Sequence, residues 1–210
     1  PGVWSRTVAR VLAVRLVCHP ATLPVCPLFH CHGWNHTWMM PLLGGTVVCC
    51  RDVSAKAIYN AIHYDGVTHF GGAPIVLNMI VNAPDEDRRT FDHQVEIFTA
   101  GAPPAPATLA KIEDLGFNVT QVYGLTETYG HITECYWKGG AWDELDKPGI
   151  AASKARQGVA LPMMEHVVVR ARQHQPVPLA AVTPSELATR ANYGDNRPRE
   201  DPTAPPTARA

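Results

Sequence analysis

Residues 54–74 read SAKAIYNAIHYDGVTHFGGAP, and this stretch decides the fold class. Ser54 is suited to cap a helix whose apolar residues recur at helical spacing, and Gly66 is suited to end it. Residues 67–70 are then typical of a strand, which two glycines end. Pro74 favours the first position of a second helix. The stretch therefore predicts helix, strand and helix in succession, which is typical of βαβ proteins.

The same alternation continues on both sides of this stretch. Residues 46–50 predict a buried strand before it, and residues 94–99 and 117–122 predict two strands after it. A helix that Gly116 ends separates the last two strands. Because parallel strands are joined by right-handed crossovers, the sequence predicts an α/β fold, with a mostly parallel sheet and crossover helices.

Glycine-rich loops follow three of the predicted strands. They read Gly71-Gly72-Ala73, Gly101-Ala102-Pro103 and Tyr123-Gly124-Leu125-Thr126. Parallel sheets bind ligands beyond the carboxyl ends of their strands, so we expect a site at this edge. Gly124 lets backbone approach a ligand, the Thr126 hydroxyl suits a phosphate oxygen, and the Glu127 carboxylate suits Mg²⁺. A capped turn would explain the last loop equally well.

The composition excludes several classes of partner and site. The 18 Lys and Arg residues against 19 Asp and Glu residues give a net charge of −1, so no basic surface for nucleic acid is expected. No run of 18 apolar residues occurs, and we expect no membrane span. The six cysteines contain no Cys-x-x-Cys, which disfavours a zinc ribbon. Without a recognisable secretion signal, they predict a cytoplasmic protein.

Three histidines fall within seven residues, at His30, His32 and His36, together with Cys31. A metal site is one interpretation, and the least favoured, because structural zinc needs four ligands and no second cluster lies downstream. Local hydrogen bonding or solvation of the rings is the second interpretation. Lining of a binding pocket is the third, and the residues alone leave all three open.

Four segments, taken in order, resemble the AMP-forming acyl-CoA synthetases of the adenylate-forming superfamily. They are residues 27–34, 71–74, 100–104 and 123–127. The similarity covers roughly residues 2–166 and is to the branch of fatty-acid and methylthioalkanoate CoA ligases. It implies part of the large N-terminal domain of such an enzyme. It also implies that a small carboxylic acid and ATP form an acyl-adenylate, which coenzyme A then captures, with Mg²⁺ as the metal.

The resemblance implies a role for individual residues. The implied adenylate-binding residues are Gly101, Ala102, Pro103, Tyr123, Gly124, Leu125 and Thr126. Thr126 and Glu127 would be catalytic, with Thr126 on the α-phosphate and Glu127 holding Mg²⁺. The implied acyl pocket contains His30, Trp34, Gly71 and Gly72. Core packing is the alternative explanation for His30 and Trp34.

The sequence departs from the family in length. Enzymes of this kind are more than twice as long, so we interpret the chain as a central fragment. We expect a partial adenylation domain over residues 1–169, and a Pro-rich, disordered or non-native tail over residues 170–210. The phosphate loop would precede Pro1, and the C-terminal domain has no counterpart, so we expect no acyl-adenylate formation by this chain alone. An inactive truncated or frameshifted product, and an acyl or acyl-AMP binding module, are the alternatives.

Overall fold

A computed structural model describes residues 7–8, 11, 16, 19–126, 128–162, 164–171 and 185–191. The strands are β1 (Ala21–Pro24), β2 (Thr46–Val47), β3 (His69–Gly72), β4 (Val95–Thr99), β5 (Phe117–Leu125), β6 (Gly130–Glu134), β7 (Val159–Ala160), β8 (Met164–Ala171) and β9 (Ser185–Ala191). Within the described part, the first seven form one sheet in the order β2-β1-β3-β4-β5-β6-β7. The last two pair with each other in antiparallel fashion.

Five α-helices are described around this sheet. They are α1 (Cys31–Leu43), α2 (Ala55–Asp65), α3 (Pro74–Val81), α4 (Pro106–Asp114) and α5 (Lys147–Lys154). Two short 3₁₀ helices lie at Asp85–Asp87 and Gly140–Trp142. No helix in the described ranges is long and apolar enough to cross a bilayer.

Local sequence signals set the bounds of α2 and α3. The Ser54 hydroxyl oxygen accepts a hydrogen bond of 3.2 Å from the Ala57 N–H and caps α2. Gly66 ends α2 in the left-handed region, with φ of 65°. Pro74 is the first residue of α3, where its missing N–H costs nothing. The helix, strand and helix predicted for residues 54–74 are confirmed.

The sheet is parallel over β2, β1, β3, β4 and β5. The predicted α/β fold is therefore confirmed. Strands β6 and β7 add an antiparallel extension that the sequence analysis did not predict. Because β6 pairs with the end of β5, with Leu125 opposite Gly130, β5 runs three residues past the predicted bound. Residues 123–125, predicted as loop, therefore belong to a strand.

Two other expectations concern residues 46–50 and the segment after residue 169. The buried strand predicted over residues 46–50 is wrong: β2 is a two-residue strand, and both residues are exposed because β2 is an edge of the sheet. Strand β9 lies inside the segment 170–210, so regular structure extends past residue 169. The rest of that segment lies outside the described residues, and the domain boundary there stays a prediction.

Alternate residues of the strands face two separate cores. Ile97 of β4 packs with α2, α3 and α4 in the larger core, which also holds Phe70. The neighbouring residue, Phe98, faces the other side of the sheet and packs with Met39 of α1. Fully buried side chains of this kind each stabilise the fold by about 1.5–3 kcal/mol. This packing fixes α1 against the sheet face opposite α2, α3 and α4.

Candidate active site

A cavity of about 430 Å³ lies between α1 and the carboxyl ends of β3, β4 and β5. Its sheet side is formed by glycine-rich backbone that follows or ends the three strands, together with Phe98 and Val122. Its other side is formed by α1 and the residues before it. The cavity therefore lies at the edge of the sheet where the sequence predicts a ligand site.

Predicted site residues from separate segments meet around this cavity. Those that line it are His30, Gly71, Gly72, Gly101, Gly124, Leu125 and Thr126. The set joins residues of the predicted acyl pocket to residues of the predicted adenylate site. The topology thus brings together residues that are almost 100 positions apart in the chain.

Other predicted site residues lie elsewhere or outside the description. Tyr123 does not line the cavity and packs instead against a small apolar cluster around Ile132. Ala102 and Pro103 are exposed in the loop after β4. Glu127 lies outside the described residues, and so does the side chain of Trp34 on α1. Their roles stay predictions.

The two glycines on the adenylate side are required for different reasons. A Cβ at Gly124 would overlap the carbonyl oxygen of Gly130 and the Cα of His131. The absence of a side chain at Gly124 thus lets β6 approach β5 closely, at the position where the register of their pairing shifts. Gly101 has φ of 90°, in the region that favours glycine, and open space surrounds the position of its absent Cβ. Backbone at Gly101 is therefore accessible to a flat ligand.

The turn between β5 and β6 is held by Thr128. Its buried hydroxyl accepts a hydrogen bond of 2.9 Å from the Leu125 N–H and donates one of 2.6 Å to the Gly130 carbonyl. The Tyr129 N–H also donates to the Thr126 carbonyl, at 3.0 Å. These bonds fix the backbone that presents Thr126 to the cavity. The sequence analysis missed Thr128, although threonine in a turn is a known signal for such local bonds.

Two histidines of α1 line the cavity and contact each other. The ring centroids of His32 and His36 are 4.1 Å apart, and the His36 Nδ1 lies 2.7 Å from the His32 carbonyl oxygen. Burial lowers the pKa of His32 well below its usual value, and neighbouring His36 and His131 lower it further. His32 is therefore uncharged at neutral pH. Local hydrogen bonding and pocket lining thus occur together.

No group of three metal-ligating side chains occurs in the described part of the chain. The described wall of the cavity also contains no Lys, Arg, Asp or Glu. Its polar atoms belong to histidine, asparagine, threonine and cysteine side chains and to backbone. The wall therefore carries no formal charge when its histidines are neutral.

One side of α1 supplies further lining residues, of which His32 and His36 were considered in the sequence analysis and Asn35 was not. His32, Asn35, His36 and Met39 all line the cavity. Their spacing of three, four and seven positions places them on one helix face. This periodicity predicts that the four side chains share one face of the helix. It does not predict which side of the sheet that face packs against.

Comparison with known proteins identifies the family. Residues 4–192 match the AMP-binding enzyme family, and the chain belongs to it. The resemblance predicted from the four sequence segments is confirmed. The members it matches are acyl- and acetate-CoA ligases, which are enzymes.

Two plant proteins are among the most similar relatives. An acetate–CoA ligase of Humulus lupulus is 46% identical over 168 residues, which are 79% of this chain and 29% of that protein. A peroxisomal acetate/butyrate–CoA ligase of Arabidopsis thaliana is 45% identical over 168 residues, with the same coverage. The chain thus spans about 29% of the length of these relatives. A cytoplasmic location stays a prediction.

A solved structure supports the fold. The N-terminal domain of FACL13 from Mycobacterium tuberculosis matches with a TM-score of 0.68 and 20% sequence identity. The match covers 84% of this chain and 42% of that domain. The fold is therefore that of part of this N-terminal domain, and the predicted fold class is confirmed.

Proposed function

We propose that this chain is the central part of the adenylation domain of an ATP-dependent carboxylic acid–CoA ligase. The observation that carries the proposal is the convergence of His30, Gly101 and Thr126 on one cavity at the strand ends. They come from three different segments of the sequence. Family membership supports the reaction class, since the matched relatives are named as CoA ligases.

The cavity divides by residue type. Gly101, Gly124 and Thr126 form the side proposed to hold the adenylate, where exposed glycine backbone suits a flat ring and the Thr126 hydroxyl can donate to an α-phosphate oxygen. His30 and Gly71 lie on the side proposed for the acyl group. In this arrangement the acid carboxylate meets the α-phosphorus and displaces pyrophosphate. The thiol of coenzyme A then displaces AMP from the acyl-adenylate.

Magnesium fits the chemistry of this site. The described wall of the cavity offers no cation to offset the negative charge of a nucleotide phosphate. Oxygen ligands are the ones that Mg²⁺ prefers, and the Glu127 carboxylate would supply them. Bound there, Mg²⁺ would neutralise charge as the carboxylate and the phosphate approach each other.

The acid is proposed to be small. A cavity of about 430 Å³ must hold nucleotide as well as acyl group, and the buried side chains of Met39 and Phe98 form part of its lining. The names of the plant relatives, which mention acetate and butyrate, support short acids. Coenzyme A is proposed as the co-substrate because these relatives are named as CoA ligases.

The 210-residue polypeptide itself is proposed to bind an acyl-adenylate without forming one. The reason is that the phosphate loop and the C-terminal domain implied by the resemblance have no counterpart in these 210 residues. The assay is carboxylate-dependent release of pyrophosphate from ATP by the purified polypeptide. We expect none above background, and measurable release would contradict this part of the proposal.

Binding of a non-hydrolysable adenylate tests the site. Isothermal titration of the polypeptide with butyryl sulfamoyl adenosine should give one saturable site. Thr126→Val should weaken it about five- to tenfold, because one hydrogen bond to the ligand is lost. Thr90→Val is the matched control, since Thr90 is exposed and does not line the cavity. A flat titration at millimolar ligand, or equal effects of the two variants, would refute the proposal.

A further inference from the structure

A groove of about 640 Å³ lies next to the candidate active site. It is formed by the chain between β1 and α1, by α1 itself and by the segment around β2. Most of its lining side chains are apolar, among them Val25, Leu28, Met40 and Val47. Arg51 is the one charged residue in the described lining. The groove therefore suits an uncharged, apolar chain.

Cys26 lies at the boundary between this groove and the active-site cavity. Among the described residues, it is the one residue that lines both. Its thiol donates a hydrogen bond to the carbonyl oxygen of Gly71, with the Sγ 3.6 Å from that oxygen. Gly71 lies on the side of the cavity proposed for the acyl group. The Cys26 side chain is thus held at the end of β3, where the acyl side of the cavity meets the groove.

Helix α1 forms another part of this boundary. Met39 lines the cavity, and the neighbouring Met40 lines the groove. Both side chains are buried and pack in the core that contains Phe98, so a change in either disturbs the packing of the fold. Cys26 is smaller and only half-buried. It is therefore the side chain whose removal can join the two spaces with little loss of core packing.

We infer that Cys26 limits the length of the acyl chain, and that the apolar groove accepts the distal methylene groups of a longer acid once this side chain is removed. The inference rests on the proposed function and deepens it, because it names the residue that keeps the acid small. Cys26 acts through its volume, and no chemistry of the thiol is required. It is a specificity-determining residue on the acyl side of the cavity.

Two adenylate analogues measure this limit. The 210-residue chain is titrated with the sulfamoyl adenosines of butyrate and octanoate. We expect the octanoyl analogue to bind the unmodified chain about tenfold more weakly than the butyryl analogue, because its additional methylene groups overfill the acyl side. The ratio of the two dissociation constants then measures selection by chain length.

Variants of Cys26 test the boundary. Cys26→Gly opens a path into the groove, where each newly buried methylene group strengthens binding about fourfold. We expect the octanoyl analogue to bind this variant about tenfold more tightly than it binds the unmodified chain, with little change for the butyryl analogue. Cys26→Ala removes only the sulfur and should act in the same direction by a smaller factor. Cys49→Gly is the matched control, since Cys49 lines the groove and not the cavity, and the ratio should stay unchanged.

The outcomes separate this inference from the proposed function. Partial unfolding raises both apparent dissociation constants by the same factor, so their ratio stays informative for a destabilised variant. Equal binding of the two analogues to the unmodified chain would overturn the inference and leave the proposed function standing. A ratio that Cys26→Gly and Cys26→Ala leave unchanged, or that Cys49→Gly changes equally, would do the same. Failure of both analogues to bind the unmodified chain would overturn both.

Discussion

Removing the Thr128 hydroxyl should loosen the turn that presents Thr126 to the cavity. Thr128→Val keeps the shape of the side chain and deletes the oxygen. The Leu125 N–H then loses its acceptor at 2.9 Å, and the Gly130 carbonyl loses a donor at 2.6 Å. Both effects fall on the backbone between β5 and β6.

The size of the effect follows from the exposure of these two groups. Leu125 is 49% exposed, so water can replace the lost acceptor at little cost. Gly130 is buried, and removal of a hydrogen-bond donor from a buried carbonyl costs about 1–3 kcal/mol. We therefore expect Thr128→Val to lower the free energy of unfolding by about 2 kcal/mol.

Urea unfolding followed by circular dichroism measures this change. Thr90→Val is the control, because substitution of an exposed threonine should change stability by less than about 0.5 kcal/mol. Thr128→Val should also weaken binding of butyryl sulfamoyl adenosine, since Thr126 is less well fixed. A Thr128→Val chain as stable as the control variant would refute the reasoning.

Two further predictions concern the sheet. Burial lowers the pKa of His69 to about 4, so below pH 6.5 the unfolded chain binds a proton that the folded chain does not. The contribution of His69 to stability should be full above pH 6.5 and fall as the pH drops towards 4, with about 2 kcal/mol of it lost between pH 7 and 5. Urea titrations at both pH values should show a smaller loss for His69→Gln, and an identical loss would contradict this. Gly124→Ala should lower the melting temperature more than Gly101→Ala, because only the Gly124 Cβ would overlap backbone atoms; the reverse order would contradict it.

Local signals made part of the fold predictable. Ser54, Gly66 and Pro74 set helix ends through their own backbone and side-chain preferences, which depend on near neighbours. The end of β5 was not predictable in this way. Its last residues are in a strand because β6 pairs with them, and that pairing depends on the turn that Thr128 holds.

In the candidate site, too, some features were predictable from the sequence and others depended on tertiary contacts. Convergence of the glycine-rich loops at Gly71, Gly101 and Gly124 follows from a general rule for parallel sheets, and the cavity lies where that rule places it. Pocket lining by His32 and His36 was one of three interpretations that the residues left open, and Asn35 was missed. Its place in the cavity depends on which side of the sheet α1 packs, and that follows from the tertiary contacts of Met39 and Phe98.

The most direct test of the proposed adenylate site is a map of ligand contacts on the polypeptide in solution. Amide NMR spectra recorded during titration with butyryl sulfamoyl adenosine report which backbone groups sense the ligand. The account predicts the largest shifts at Gly101, Gly124 and Thr126, with little change at Gly66 on the far end of α2. Saturable binding whose shifts avoid these three residues would contradict it.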